Sequence, residues 1–155
     1  IAHPSVANEV QEMGSNESEI QDYITLQNSF QPFEPHKVFD LGIERIEDGK
    51  LIGILTTIIK HHRKAEIGYG LGIAHRRLGY ATEAARALID TCFTELALHR
   101  VQAIASSGNP ASVRVLQRLG MKPEGSLREA SLRDGKWCDL YYFGMLENEW
   151  RSKQG

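Results

Sequence analysis

A short basic turn between a strand-like run and a helical pattern has residue types that suit an anion. Arg76 and Arg77 precede Gly79, and apolar residues then recur at helical spacing over 81–96. The first turn of a helix has unpaired N–H groups and a partial positive charge, so it attracts phosphates. The turn therefore predicts a phosphate or pyrophosphate site. Solvated arginines beside a glycine that merely turns the chain would give the same pattern.

Two better-known phosphate loops fit this sequence poorly. There is no G-x-x-x-x-G-K-[ST] motif, which excludes a P-loop. Gly68, Gly70 and Gly72 form G-x-G-x-G, and the helical pattern begins too far beyond them for a dinucleotide fingerprint. A nucleotide-binding regulator that uses this glycine run is therefore the weakest hypothesis for the chain.

The elements before the turn read as an antiparallel meander. Two strand-like runs over 38–46 and 51–59 are joined across Asp48-Gly49, and a third strand is predicted over 65–73. An S-x-x-Q capping box that begins at Ser18 also predicts an earlier helix, which would extend to about Asn28.

The elements after the turn predict a crossover and a final hairpin. A strand over 99–105 follows the central helix, and such a crossover normally places its two strands in parallel. A second helix is expected between the N-cap Asn109 and the stop residue Gly120. Asp134-Gly135 joins two strands over 122–147. The predicted fold class is α+β with one mixed sheet.

Size and composition indicate one ordinary domain over residues 1–155, of which 41% are hydrophobic and 25% charged. The formal net charge is −2 without long blocks of like charge, so neither a nucleic acid nor a membrane is an expected partner. Cys92 and Cys138 form no CxxC pair and are typical of reduced thiols in a cytoplasmic protein. We expect no metal, because the six histidines lack ligand spacing.

Three segments together resemble the GCN5-related N-acetyltransferases. Arg76-x-x-Gly79-x-Ala81 is similar to the family's [QR]-x-x-G-x-[GA] acyl-CoA pyrophosphate loop, and 76–84 looks most like the ribosomal-protein (RimJ/RimL-like) branch. Residues 109–121 resemble the N-x-x-[SA]-x-x-[VL]-x-x-x-x-G-[FM] segment, and 124–139 resembles the C-terminal hairpin. The resemblance covers about residues 37–147 in the right order, which is far more specific than a single motif.

The resemblance implies an acyl donor and a place for it. Acetyl-CoA would be the co-substrate and would lie between two splayed parallel strands. Its pyrophosphate would be bound by the turn and the helix start, at Arg76, Arg77, Gly79, Ala81 and Thr82. Its pantetheine arm would pair with main chain around Leu71, Gly72 and Ile73, and Asn109 would touch the same arm.

The implied reaction is direct attack of a primary amine on the acetyl group. An amine with a pKa near about 10 arrives protonated and must lose a proton first. Glu66 matches an acidic position of the family and is the first candidate base, directly or through water, unless it is held in a structural bond or ion pair. Glu129 is the second candidate. Ser112 could donate to the departing thiolate or simply cap its own helix, and Val115 stands where many relatives have tyrosine.

The acceptor implied by the resemblance is a protein N-terminal amine, a polyamine or another small amine such as an antibiotic. A second copy of the chain is a possible partner. The alternative is a non-catalytic module that binds acyl-CoA without chemistry. Relatives in this branch begin with an L-x-L-R-P-like segment that has no match here. We therefore expect that the chain is shortened upstream or that the family's first strand is absent.

Overall fold

The computed structural model describes residues 38–154, so the helix predicted from Ser18 lies outside the described residues. Within this range the chain forms six strands and three α-helices. The strands are β1 (Val38–Arg45), β2 (Lys50–Lys60), β3 (Lys64–Leu71), β4 (Arg100–Ser106), β5 (Lys122–Arg133) and β6 (Lys136–Leu146). The helices are α1 (Tyr80–Thr94), α2 (Pro110–Leu119) and α3 (Glu147–Arg151), with a 3-10 turn at Ile73–His75.

All six strands join one mixed sheet in the order β1-β2-β3-β4-β6-β5. Every neighbouring pair is antiparallel except β3 with β4. These two strands pair over three positions only, from Lys64 with Arg100 to Glu66 with Gln102, and are unpaired beyond them. The predicted α+β class, with a crossover between splayed parallel strands, is confirmed.

Short-range signals set the turns as predicted. Gly49 has a φ of 68°, and the 134–135 turn has positive φ at both residues, 49° at Asp134 and 72° at Gly135, as a type I′ hairpin requires. Asn109 caps α2 by accepting a hydrogen bond from the Ser112 amide at 3.2 Å. Gly120 ends that helix in the left-handed conformation.

The two longer helices pack on one face of the sheet. The buried stripe of α1 comprises Ala85, Leu88, Ile89, Cys92 and Phe93. Phe93 is 2% exposed and stacks on Trp150 of α3, with ring centroids 5.4 Å apart. Full burial of one such aromatic side chain contributes about 1.5–3 kcal/mol. The Trp150 indole also donates to Asp90 Oδ1 at 2.6 Å, so the last helix is fixed against α1.

The end of β3 differs from the prediction. The strand stops at Leu71 instead of residue 73 because the chain enters the 3-10 turn, in which the His75 amide donates to the Gly72 carbonyl at 2.9 Å. The Gly72 amide still donates to the Ile52 carbonyl of β2 at 3.0 Å. No helix between residues 38 and 154 is long and apolar enough to cross a membrane.

Candidate functional site

A cleft of about 480 Å³ lies where β3 and β4 separate. Its walls come from the end of β3, the turn before α1, the first turns of α1 and α2, and Arg133 of β5. Seven of the nine residues predicted to hold the acyl donor line it, namely Leu71, Arg76, Arg77, Gly79, Ala81, Thr82 and Asn109. The sheet and its two helices therefore bring together residues that lie almost forty positions apart in the sequence.

The turn before α1 exposes backbone donors to the cleft. Arg77 and Gly79 both have positive φ, 65° and 91°, which bends the chain tightly into the helix. The first helical hydrogen bond runs from the Glu83 amide to the Gly79 carbonyl at 3.0 Å, so the amides of 80–82 have no partner within the helix. Unpaired amides at the positive end of a helix dipole suit an anion, and these amides follow the turn for which the sequence predicts a phosphate site.

The charged side chains that line the cleft are all positive. Five arginines line it, and no carboxylate is among the described residues of its wall. Arg76 and Arg77 come from the turn, Arg114 and Arg118 from α2, and Arg133 from β5. The Arg76 guanidinium donates to the Leu71 carbonyl at 3.0 Å, which holds the turn against the end of β3. Such a wall suits a ligand with several phosphates.

The end of β3 offers main-chain groups to the same cleft. Because the Gly72 amide points towards β2, the alternation of a strand turns the amides and carbonyls of Leu71 and Tyr69 towards the opening. Leu71 lines the cleft, whereas Gly72 and Ile73 do not. The Leu71 carbonyl already accepts a hydrogen bond from Arg76, so the main-chain groups that remain are the Leu71 amide and both groups of Tyr69.

Ser112 lies in the wall of the cleft with a partner that the sequence reasoning missed. The Ser112 side chain is buried, and its Oγ lies 3.1 Å from Tyr69 Oη. Tyr69 Oη is also 3.1 Å from the Ser112 carbonyl oxygen, so the single phenol proton has two acceptors within hydrogen-bond distance. Burial raises the pKa of Tyr69 to about 12, although the bond to Ser112 opposes this effect. The phenol therefore keeps its proton at neutral pH.

Glu66 lies at the last parallel pair, on the face of the sheet opposite to Tyr69. Its carboxylate forms an ion pair with Lys60 and accepts a hydrogen bond from Gln102 Nε2 at 3.0 Å. It does not line the arginine cleft. The sequence allowed two roles for Glu66, a catalytic base or a carboxylate held in an ion pair, and the structure contains such an ion pair. It lies where β3 and β4 begin to separate.

Glu129, the second candidate base, lies on β5. It belongs to an irregular stretch of β5 where the register with β6 shifts, and its φ is 50°. Its side chain is exposed, and its amide donates to Asp139 Oδ1 at 2.9 Å. Glu129 does not line the cleft.

Comparison with known proteins identifies the family. The family model described as "Acetyltransferase (GNAT) domain" matches residues 2–122. The chain belongs to the GNAT acetyltransferase family. Members of this family generally use acetyl-CoA as acyl donor. The five arginines of the cleft and the start of α1 fit the phosphates of that molecule.

Curated GNAT relatives from Bacillus subtilis match parts of this chain. "Putative ribosomal N-acetyltransferase YdaF" is 37% identical over 117 residues, which are 73% of this chain and 64% of YdaF. "Uncharacterized N-acetyltransferase YnaD" is 38% identical over 85 residues, or 55% of this chain and 50% of YnaD. The chain thus spans between half and two thirds of the length of these relatives.

Solved GNAT structures share the fold. An acetyltransferase from Bacillus anthracis is 31% identical with a TM-score of 0.66, over 71% of this chain and 67% of that one. The spermidine/spermine N-acetyltransferase SpeG from Vibrio cholerae has a TM-score of 0.73 over 90% of this chain and 96% of SpeG. The identity to SpeG is 22%, so this likeness concerns the fold alone.

Neither thiol of this GNAT chain lines the cleft. Cys92 is fully buried on the inner face of α1, and burial raises the pKa of its thiol to about 11. Cys138 is half-buried on β6, and both cysteines are free. In the part of the chain that the structure describes, no group of three or more His, Cys, Asp or Glu residues could hold a metal ion.

Several arginines of the cleft escaped the sequence reasoning. Arg114 and Arg118 are four residues apart on α2, so helical periodicity places them on one side of that helix. Arg133 carries no such local signal, because it lies on β5, which reaches this part of the sheet only through its pairing with β6.

Proposed function

We propose that this chain transfers an acetyl group from acetyl-CoA to a primary amine. The observation that carries the proposal is the arginine-lined cleft between the splayed strands, into which the first turns of α1 and α2 point. Five positive side chains and the start of α1 suit a pyrophosphate and a further phosphate better than an uncharged ligand. Family membership supports acetyl-CoA as the phosphate-bearing molecule.

The roles of the cleft residues follow from their positions. Arg76, Arg77 and the amides from Gly79 to Thr82 would bind the pyrophosphate, with Ala81 small enough to leave its amide accessible. The main chain of Tyr69 and the amide of Leu71, freed by the loss of pairing with β4, would pair with the pantetheine arm. Gly72 and Ile73 would hold the turn instead. The side-chain oxygen of Asn109 accepts the capping hydrogen bond of α2, so its side-chain NH2 group would donate to the pantetheine arm.

Bound acetyl-CoA would supply an activated thioester, and residues of this chain would accept and donate the protons of the reaction. The amine must lose a proton before its nitrogen bonds to the acetyl carbon, and Glu66 would accept it, directly or through water. Gly68 and Gly70 follow Glu66 on its face of β3 and present no side chains there. An amine could thus approach the opening from the face opposite to the arginines. To act, Glu66 must share its carboxylate with Lys60 or exchange that partner for the amine.

The leaving sulfur also needs a partner. When the C–S bond breaks, its electron pair remains on sulfur, and a hydrogen-bond donor in the cleft stabilises that charge. The second proton, which the nitrogen loses as it becomes an amide, then neutralises the thiolate directly or through water. Ser112 is our candidate, because its hydroxyl lies in the wall of the cleft. Val115, which lines the cleft one helical turn further on, is apolar and cannot donate.

For the acceptor we propose a protein N-terminal amine or a small amine such as a polyamine or an antibiotic. The name of YdaF, which refers to ribosomal acetylation, supports the first class, as does the likeness of 76–84 to the RimJ/RimL-like branch. SpeG is named for spermidine and spermine, but only the fold links SpeG to this chain.

A second candidate function is a module that binds acyl-CoA without chemistry. The observation that favours it is the ion pair of Glu66 with Lys60, because a carboxylate with two partners already meets its structural needs. Under this hypothesis the arginine cleft persists while no amine is acetylated.

The deciding experiment measures thiol release from acetyl-CoA by the 155-residue chain. Peptides with free N-termini, polyamines and aminoglycosides serve as acceptors, with a blank that lacks acceptor. We expect release that depends on one acceptor class. Saturable acetyl-CoA binding without release above the blank would favour the binding module. Glu66→Ala and Ser112→Ala should lower turnover while acetyl-CoA affinity changes little, and unchanged turnover in both would remove these two roles.

A further inference from the structure

One hydrogen-bonded pair closes the space between β3 and the first turn of α2. Tyr69 lies three residues beyond the last parallel pair, and its phenol reaches Ser112 across the opening. Both residues line the cleft; Ser112 is buried and Tyr69 is partly buried against the core. The contact joins positions 43 residues apart, so it fixes α2 relative to the free end of β3.

The protons of this pair can be arranged in two ways. Tyr69 has one hydroxyl proton and two acceptors within 3.1 Å, the Ser112 carbonyl and Ser112 Oγ. If the phenol donates to the carbonyl, the Ser112 hydroxyl can donate to Tyr69 Oη, and its proton stays within the pair. If the phenol donates to Ser112 Oγ, the Ser112 proton must point elsewhere, and the cleft is the open direction.

We propose that Tyr69 is a positioning residue that directs the Ser112 proton into the cleft, towards the sulfur of bound CoA. The inference rests on the proposed function of the cleft as an acyl-CoA site. Neither hydroxyl loses its proton in this arrangement. The phenol donates to Ser112 Oγ, and the serine donates to the sulfur that carries the electron pair of the broken C–S bond. A chain of two hydroxyls polarises the terminal donor and strengthens it.

The burial of the pair suits this role. The pKa of Tyr69 is raised to about 12 by burial, so the phenol remains a donor throughout the pH range in which a thiol titrates. The amide of Ser112 is already bound to Asn109 Oδ1 at 3.2 Å, which fixes the backbone from which Oγ projects. The serine therefore has a held main chain and one side-chain partner that sets the direction of its proton.

The test titrates the thiol of CoA itself while it is bound to the protein. A donor to the thiolate lowers the pKa of a thiol, whose ordinary value is about 8.5. The thiolate absorbance is followed against pH with protein in excess over CoA, and the same protein with desulfo-CoA serves as the blank that removes the contribution of Cys138. The proteins compared are the parent, Tyr69→Phe, Ser112→Ala, the double variant and Tyr141→Phe as the matched control.

Tyr141 is a suitable control because it is a partly buried tyrosine on β6 that packs on the core and does not line the cleft. We expect the bound thiol pKa to rise by roughly one unit, a tenfold change in ionisation, in Tyr69→Phe. Ser112→Ala should raise it by a similar amount, and the double variant should add little. Tyr141→Phe should match the parent.

Several results would overturn the inference. An unchanged thiol pKa in Tyr69→Phe with tight CoA binding would overturn it. Shifts in the two single variants that add fully in the double variant would also overturn it, because Tyr69 would then act independently of Ser112. If Tyr69→Phe failed to fold, an unchanged thiol pKa in Ser112→Ala would be equally decisive against it. Failure of the parent to bind CoA would overturn the proposed function and this inference together. If the variants show the expected rise in thiol pKa but the parent acetylates no amine, the donor pair is retained and only the transferase activity is rejected.

Discussion

The two ends of β3 differ in how far their hydrogen-bonding groups are already used. From Lys64 to Glu66 the strand pairs with β2 on one side and with β4 on the other. From Tyr69 to Leu71 it pairs with β2 alone. At the first end even the Glu66 side chain has two partners, whereas the second end borders the arginine cleft.

This difference shows how a continuous sheet can hold a ligand site. Buried main-chain groups almost always find partners, so an opening in the sheet must be completed by something else. Here the crossover supplies the start of α1, whose first amides lack partners within the helix. The paired end of β3 should therefore contribute mainly to stability and the open end mainly to binding, with Glu66 at the boundary between them.

Substitution of Glu66 by Gln tests that boundary and should give the largest effect. If Glu66 accepts the amine proton, kcat should fall by about 100-fold or more, while acetyl-CoA affinity and the melting temperature change little. The amide keeps the shape of the side chain and its contact with Gln102. Steady-state kinetics with the best acceptor measure the change. Glu129→Gln is the rival, and a large loss in that variant with none in Glu66→Gln would move the base to β5.

Val101→Ala tests the paired end. Val101 lies opposite Ala65 in the parallel ladder and is 0% exposed. The loss of buried methyl groups and the cavity left behind should lower the free energy of unfolding by about 2 kcal/mol. Urea unfolding measures the loss. The Michaelis constant for acetyl-CoA should stay within about twofold of the parent value at temperatures where the variant is folded. An equal loss of binding would contradict the division of labour between the two ends.

Arg76→Ala tests the open end and should give the reverse pattern. The loss of one charged hydrogen-bond donor to a phosphate should weaken acetyl-CoA binding by roughly tenfold. The same change should alter the free energy of unfolding by less than about 0.5 kcal/mol, since the side chain is exposed. Isothermal titration and urea unfolding measure the two quantities. Arg128→Ala, which removes an exposed charge from β5 outside the cleft, is the matched control and should leave both unchanged.

The local features of the fold could be predicted from the sequence because their causes lie within a few residues. Asp48-Gly49 and Asp134-Gly135 determine their turns through their own backbone preferences, and Asn109 caps α2 through an amide three residues away. The turn from Arg76 to Gly79 likewise needs only the following helix to take its shape. The structure places this turn in the wall of the cleft, and its role as an anion site stays a prediction.

The remaining parts depend on long-range pairing. The Tyr69–Ser112 bond spans 43 residues, and the Glu66–Gln102 bond spans 36. Neither follows from local propensity, because each requires the register of β3 against its neighbours. One further conclusion was available from alternation alone: Glu66 and Tyr69 are three residues apart on one strand, so their side chains face opposite sides of the sheet. The side chain of the candidate base Glu66 therefore lies on the opposite face of the sheet from Tyr69, which lines the cleft.

The smallest expected effect concerns the ion pair between Arg100 and Glu124, at the paired end of β4. The Arg100 guanidinium holds the pKa of Glu124 below its usual value, chiefly through their hydrogen bond. The unfolded chain therefore binds the Glu124 proton more readily, so this contribution to stability is present above the unfolded pKa of about 4.3 and is lost as the pH falls through the folded pKa. Because both side chains are partly exposed, the contribution should be well under 1 kcal/mol.

Urea unfolding of the parent and of Glu124→Gln at a series of pH values below neutrality measures this contribution. The difference between the two proteins should shrink as the solution becomes more acidic. Glu44→Gln on β1, at an exposed position that forms no ion pair with the described residues, should follow the parent throughout. A difference that stays constant with pH would assign the effect of Glu124 to its packing over Gly144 instead of its charge. Acetyl-CoA affinity should be the same in all three proteins at neutral pH, because the pair belongs to the end of the sheet where the strands remain joined.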